Sequence, residues 1–269
     1  MTFDPSASDE IRLMTLAQLM TRGAWQLELA HDRGENLLIW FTRGQGVALL
    51  DGARRGVGVH NALFVPARSL MALAPGRQGF GQALVIPCGT RIVLPERAQH
   101  LRIREVGAQT ELTALLEALG REQNTARPLR AEAMLAYGEL AAIWLRRQMA
   151  AADVPPRPGA ARRLSRAYCE RLVGHFASGA SMAEHAGALG VTPTHMTRVC
   201  RAETGRTAAE LLTERSLHAA RSLLGATDVP VQDIASHLGF GSAAYFTRFI
   251  QHHTGQTPTA LRRASAART

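Results

Sequence analysis

The chain has 269 residues, enough for two domains that each bury a core of ordinary size. Its 31 basic side chains, all arginine, outnumber 22 acidic ones and leave a formal charge of +9, which favours polyanionic partners such as nucleic acid or acidic lipid. The three scattered cysteines Cys88, Cys169 and Cys200 exclude a disulfide framework and a paired-cysteine zinc site, the polar start MTFDPSASDE lacks the form of a signal peptide, and no apolar run approaches membrane-spanning length.

These features predict a cytoplasmic protein with reduced, buried thiols. From Trp25 to about Leu94 the sequence alternates short apolar runs with glycine and proline: LLIWF at 37–41, VALL at 47–50, ALFVP at 62–66 and ALVIP at 83–87. The runs predict small antiparallel strands, separated by turns at Gly44-Gln45-Gly46, Asp51-Gly52 and Pro75-Gly76. Asp-Gly is a strong two-residue hairpin signal, and a compact β-barrel or sandwich follows. Five aromatics, Trp25, Trp40, Phe41, Phe64 and Phe80, are candidates to hold a small organic effector inside it; equally, they are candidates for plain core. His31, His60 and His100 are too widely separated in sequence to predict a metal centre, and neither a cofactor nor a catalytic constellation is expected.

After Val106 the period changes to that of helices. Leu112, Leu115, Leu116 and Leu119 share one face, and a second run from Leu129 to Ala150 is apolar around more of its circumference, through Met134, Leu135, Leu140, Ile143, Trp144 and Leu145. Two readings stand here, a cover for the chain's own barrel and a homodimer interface. The segment Asp153-Val-Pro-Pro-Arg-Pro-Gly159 excludes helix and predicts an extended connector. The expected division is 1–105 for the barrel, 106–152 for a helical dimerisation segment, 153–160 for the linker and 161–269 for an all-helical region.

That last region contains a repeat. Residues 182–191 align with 231–240, and 192–207 with 242–257 once one extra residue is allowed at Gly241. Agreement falls at Ala186/Ala235, Leu189/Leu238, Gly190/Gly239, Thr197/Thr247, Arg198/Arg248, Thr204/Thr254, Gly205/Gly255, Thr207/Thr257 and Leu211/Leu261. Each copy predicts two short helices with a left-handed glycine between them, Gly190 or Gly239, and a second helix capped by Thr192 or Ser242. Met196, Val199 and Cys200 in the first copy, and Phe246, Phe249 and Ile250 in the second, recur at helical spacing and belong to the core. The opposite faces carry Thr194, His195, Thr197, Arg198 and Arg201, then Ala243, Ala244, Thr247 and Arg248, as candidates for DNA contact together with the capping Thr192 and Ser242. Residues 207–224 read as one helix joining the copies, about 27 Å long at 1.5 Å per residue. From Ala160 onward 13 arginines meet 7 acidic residues, so the basic excess is concentrated in this part.

Over residues 163–263 the sequence resembles the AraC/XylS family of bacterial transcription regulators. The second copy carries the match, with Ile234-Ala235, Gly239-Phe240, Tyr245-Phe246, Arg248-Phe249, Gly255, Pro258 and Arg262 at the family's spacing. The resemblance implies a seven-helix DNA-binding region, binding to double-stranded promoter DNA, activation through RNA polymerase, and a DNA role for Arg262. It departs at Gly241-Ser242-Ala243-Ala244, less polar than the family's usual start, and at Leu261, where an aromatic is common. The N-terminal half resembles, at the level of fold, the cupin-like sensory domain of such regulators. The resulting expectation is an α+β protein, a small barrel followed by two helix-turn-helix units, acting as a dimeric, effector-responsive activator and not as an enzyme.

Overall fold

The structure, a computed structural model, describes residues 10–152 and 157–266; residues 153–156 of the expected linker lie outside the described residues. The chain opens with β1 (Arg12–Thr15) and two single-turn helices, α1 (Leu16–Leu19) and α2 (Trp25–Glu28). Seven strands follow: β2 (Asn36–Arg43), β3 (Gln45–Leu50), β4 (Ala53–Gly58), β5 (Asn61–Val65), β6 (Met71–Ala74), β7 (Phe80–Ile86) and β8 (Gln99–Arg102). They form two antiparallel sheets, one of five strands in the order β1-β7-β2-β5-β8 and one of three in the order β4-β3-β6.

Registers such as Leu37↔Val65 and Ile39↔Leu63 put alternate side chains of the larger sheet on opposite faces. Leu37, Ile39, Phe41, Leu63, Val65 and Val85 meet Ala48, Leu50, Val57, Met71 and Leu73 of the smaller sheet. Leu38, Trp40, Phe64, Leu84, Ile86 and Leu101 instead meet the two helices that follow the strands, α3 (Val106–Gln123) and α4 (Arg130–Ala151). Burial on both faces explains why LLIWF and ALVI are continuous apolar runs, since a strand with one wet face would alternate. The large aromatics of this layer have their polar atoms satisfied: Trp144 Nε1 donates to the Ala108 carbonyl at 3.0 Å and Trp40 Nε1 to Thr113 Oγ1 at 3.3 Å.

The aromatic set expected to surround an effector is therefore dispersed. Trp40 and Phe64 lie between the larger sheet and the helices, and Phe41 lies between the sheets. Phe80 is 55% exposed, with the Arg43 guanidinium over its ring, and Trp25 is elsewhere, beside His218. On α4, Met134, Trp144 and Leu145 are buried against the larger sheet and Leu140 is 46% exposed. Cys169 and Cys200 are buried, as expected, but Cys88 is exposed, because it stands in the loop after β7 and not in a strand.

The helical C-terminal part consists of α5 (Ala160–His175), α6 (Met182–Gly187), α7 (Pro193–Thr204), α8 (Ala208–Ala226), α9 (Val231–His237), α10 (Ala243–Thr254) and α11 (Pro258–Ala266). It packs directly on the strands. Leu49 and Ala72, on the outer face of the smaller sheet, join Ala30 and Leu70 in one core with Tyr168, Leu172, Ala186, Met196, Cys200 and Leu211. The order of layers is thus helices α3 and α4, larger sheet, smaller sheet, helices α5 to α8. The turn between β3 and β4 has both central residues left-handed, Asp51 at φ 50° and Gly52 at φ 68°, the pattern that Asp-Gly predicts for a tight hairpin. Its tip abuts α5: Ser165 Oγ donates to the Gly52 carbonyl at 2.6 Å and Arg162 Nε to the Asp51 carbonyl at 2.9 Å.

Polar links extend the contact. Arg215 of α8 forms an ion pair with Asp32 at 2.6 Å, each side chain only 5% exposed, and its guanidinium lies 3.7 Å from the centre of the Phe176 ring. Glu214 accepts from the Ala30 amide at 2.9 Å and pairs with Arg206 at 3.0 Å. His31 and His218 stack with ring centres 4.3 Å apart, and burial beside His31 and Arg215 pushes the His218 pKa well below its ordinary value. Among the described residues no helix is long and apolar enough to cross a membrane.

Candidate nucleic-acid interface

The two copies of the repeat fold alike down to single hydrogen bonds. In the first, the Val191 amide donates to the Ala186 carbonyl at 3.1 Å across Gly190, whose φ is 68°. In the second, the Phe240 amide donates to the Ala235 carbonyl at 2.9 Å across Gly239, φ 76°. Only a residue without a Cβ takes this conformation without cost, which accounts for glycine at both turns. Gly239 is further constrained, because a Cβ there would stand 2.4 Å from the Ala177 carbonyl oxygen.

The second helices start in the same way. Thr192 Oγ1 accepts from the His195 amide and Ser242 Oγ from the Tyr245 amide, each at 3.2 Å, and Pro193 occupies the first turn of α7 where a missing N–H costs nothing. They also end alike. Thr204 Oγ1 donates to the Cys200 carbonyl and Thr254 Oγ1 to the Ile250 carbonyl, each at 2.7 Å, and left-handed Gly205 and Gly255 follow. Thr204 and Thr254, conspicuous in the sequence only as repeat matches, thus close their helices. Ser181 and Thr207 form capping boxes with Glu184 and Glu210 on the helices before and after α7.

One face of each second helix is core and the other is open. Ala186, Met196 and Cys200 are fully buried in the first unit, and Ala235, Phe246 and Ile250 in the second, where Phe249 is only partly covered. Burial pushes the Cys200 thiol up to about 12, so it is neutral and apolar in character. On the open face of α7, Thr192, Thr194, Arg198 and Arg201 are exposed and His195 and Thr197 half-buried. Arg198 reaches His195 Nδ1 at 3.1 Å, an i,i+3 contact that orients the guanidinium along the helix. On α10, Ser242, Ala244 and Arg248 are exposed and Thr247 is half-buried.

Two findings at residue level go beyond the sequence. Tyr245, treated there only as part of a motif, is 54% exposed near the start of α10, its ring 5.7 Å from that of Phe240, so the second unit presents an aromatic hydroxyl beside two alanines. Arg262 donates to the Val229 carbonyl and so ties α11 to the loop before α9. That contact gives it a structural role inside the chain.

A helix-turn-helix domain family matches residues 185–264. The bifunctional transcriptional activator/DNA repair enzyme AdaA of Bacillus subtilis is 35% identical over 74 residues, 28% of this chain; the match spans only 35% of AdaA's own length. Among solved structures, the C-terminal domain of AraT, a response regulator from Geobacillus stearothermophilus, is 26% identical with a TM-score of 0.36, over 40% of this chain and 88% of that one. ToxT from Vibrio cholerae is 9% identical with a TM-score of 0.41, over 95% of this chain and 98% of that one. Residues 185–264 of the chain thus carry a helix-turn-helix domain.

Proposed function

We propose that the protein is a cytoplasmic, sequence-specific DNA-binding transcriptional regulator, without enzymatic activity, that reads promoter DNA through α7 and α10. The observation that carries this reading is the pair of equivalent helices, each capped by a hydroxyl and each exposing an arginine at the same repeat position, Arg198 and Arg248. A guanidinium is a planar fork that donates two hydrogen bonds to guanine or grips a phosphate, and a capped helix start suits a phosphate. Thr194, His195, Thr197, Arg198 and Arg201 supply the contacts of the first unit, and Ala244, Thr247 and Arg248 those of the second. Thr192 and Ser242 set the helix starts against the backbone. Arg262 has a weaker claim to DNA, because its guanidinium is engaged with Val229.

In this reading residues 161–269 form the DNA-binding domain, residues 1–105 a cupin-like sensory domain, and residues 106–152 the helical segment through which two copies pair. Exposed Leu140 on α4 supports a small apolar contact between copies. The regulator acts as an activator through RNA polymerase and responds to a small-molecule effector. Selection of binding sites from a random double-stranded DNA pool at near-physiological salt tests the core of the proposal. Two preferred blocks about one helical turn apart are expected, and an enriched pool without common sequence would overturn it.

A further inference from the structure

Two histidines meet where the N-terminal part joins α8. His31, fully buried, follows α2 in an extended stretch tied to β6: its amide donates to the Met71 carbonyl at 2.8 Å, and the Met71 amide donates back at 2.7 Å. His218 stands in the middle of α8, the helix that joins the two helix-turn-helix units. The two rings are stacked, 9° from parallel with centres 4.3 Å apart, and the Trp25 ring meets His218 edge-on at 5.3 Å. Each ring has one nitrogen on a main-chain carbonyl, His31 Nδ1 on that of Leu29 at 2.8 Å and His218 Nε2 on that of Gln26 at 3.3 Å. A carbonyl only accepts, so both nitrogens carry hydrogen, and a neutral imidazole needs no second one. The bond from His218 to Gln26 itself crosses the joint.

The surroundings of the pair are cationic. Arg33 acts on His218 from the N-terminal part and Arg215 from its own helix, while the Arg221 guanidinium lies 4.6 Å over the Trp25 ring. Arg22, Arg68 and His237 border the same cleft. The carboxylates at hand are engaged: Asp32 with Arg215 at 2.6 Å, Glu35 with Arg12 and Arg33, and Glu214 with Arg206 at 3.0 Å. A proton added to either ring thus places a positive charge face to face with the other ring, between arginines on two elements. Burial, followed by His31, Arg215 and Arg33, depresses the His218 pKa well below its ordinary value.

We propose that the His31–His218 stack is an acid-sensitive latch, whose neutral rings hold α8 against the N-terminal part and whose protonation releases it. The docked pair refuses a proton that released His218 takes up near the ordinary pKa of about 6.5. The contribution of His218 to docking is therefore complete above that pH and is lost as the pH falls below it, by up to about tenfold in the docking equilibrium per pH unit. Released α8 carries α7 and α10 with it, so acid changes how both units are presented. Only that consequence for DNA rests on the regulator reading; the latch does not.

The test uses the full-length protein without DNA. Amide hydrogen exchange is followed by mass spectrometry at pH 7.5 and 5.5 and expressed as protection factors, which removes the intrinsic pH dependence of exchange. Release of one histidine with an ordinary pKa shifts opening by about tenfold over this interval. Protection of residues 24–33 and 208–226 should fall at least tenfold, and that of residues 36–43 in β2 less than threefold. His218→Gln, neutral at both pH values, should cut the response to less than threefold, and the double variant with His31→Gln should abolish it. His100→Gln, on β8 and away from the joint, should respond as the wild type does. A fall no larger at the joint than in β2, or an undiminished response in the double variant, would overturn the proposal. Where the Gln variants are already released at pH 7.5, exchange of the histidine C2 hydrogens in the wild type decides. His218 must then titrate over the pH range in which residues 24–33 lose protection; titration near pH 6.5 with protection intact overturns the latch. Selected-site DNA binding at pH 7.5 is scored separately, so failure of the latch and failure of the DNA reading are told apart.

Discussion

Replacement of Asp32 by Asn removes one charge from an ion pair closed to solvent on both sides and leaves Arg215 charged and buried beneath Phe176. Loss of one partner of a buried pair costs about 3–5 kcal/mol, most of it the desolvation of the charge left behind. Asn keeps the size and one acceptor oxygen, which places Asp32→Asn near the lower end, about 3 kcal/mol. Domains of 150–250 residues lose roughly 2–4 °C per kcal/mol, so a fall of about 6–12 °C in melting temperature is expected. Paired urea and thermal unfolding of Asp32→Asn, Arg215→Met and the double variant form a cycle that isolates the pair from other consequences of each change. The double variant should recover at least half of the loss seen in Asp32→Asn, since Met fills similar volume without a charge to solvate. A single-variant loss below about 1 kcal/mol, or strict additivity, would refute the view that this pair clamps α8 to the strands.

Arg198→Ala should relax preference at one base pair at a cost of about 1–3 kcal/mol; uniform weakening over all sequences would reassign the residue to a phosphate. Thr192→Ala and Ser242→Ala each remove a cap seen at 3.2 Å and should lower stability by about 1 kcal/mol, measured by urea unfolding, with Thr192→Gly losing less. Stability should fall in mild acid. Burial beside Arg102 and Arg55 depresses the His100 pKa from 6.5 to about 4, and His218 is depressed for its own burial. Below about pH 6.5 the unfolded chain takes up protons that the folded one refuses, so the histidine contribution is complete above that pH and is lost as the pH falls toward 4, by at most about 1.4 kcal/mol per pH unit for each. The urea midpoint at pH 7.5, 6 and 5 checks this, and His100→Gln should flatten the slope; an unchanged slope would remove His100 from the explanation.

The helix-turn-helix units were legible because their demands are local. A left-handed turn requires glycine at 190 and 239, a helix start requires a hydroxyl at 192 and 242, and duplication displays both twice. Apolar runs located β2, β3, β5 and β7 for the same reason. They did not locate β4, which carries ARRGVG and is an edge strand with Arg54 and Arg55 exposed, nor the short β1, β6 and β8. Long-range facts were beyond such reasoning. Periodicity shows that Leu49 and Ala72 are apolar but not that α5 and α7 cover them, and an aromatic such as Phe41 looks the same whether it lines a pocket or fills a core.

The hairpin tip at Asp51 and Gly52 presents main-chain carbonyls to α5: those of Leu50, Asp51 and Gly52 accept from Arg162 and Ser165. A joint read through backbone oxygens is indifferent to most side chains around it. Evolutionary drift can therefore rewrite exposed residues 54–56 without loosening the attachment, while position 52 is fixed, because a Cβ there would sit 2.6 Å from the Arg166 nitrogen at a φ of +68°. Deep mutational scanning for expression should show Gly52 as the most intolerant position of the hairpin and Arg54 and Arg55, both exposed, as permissive ones, the signature of a joint specified largely by shape.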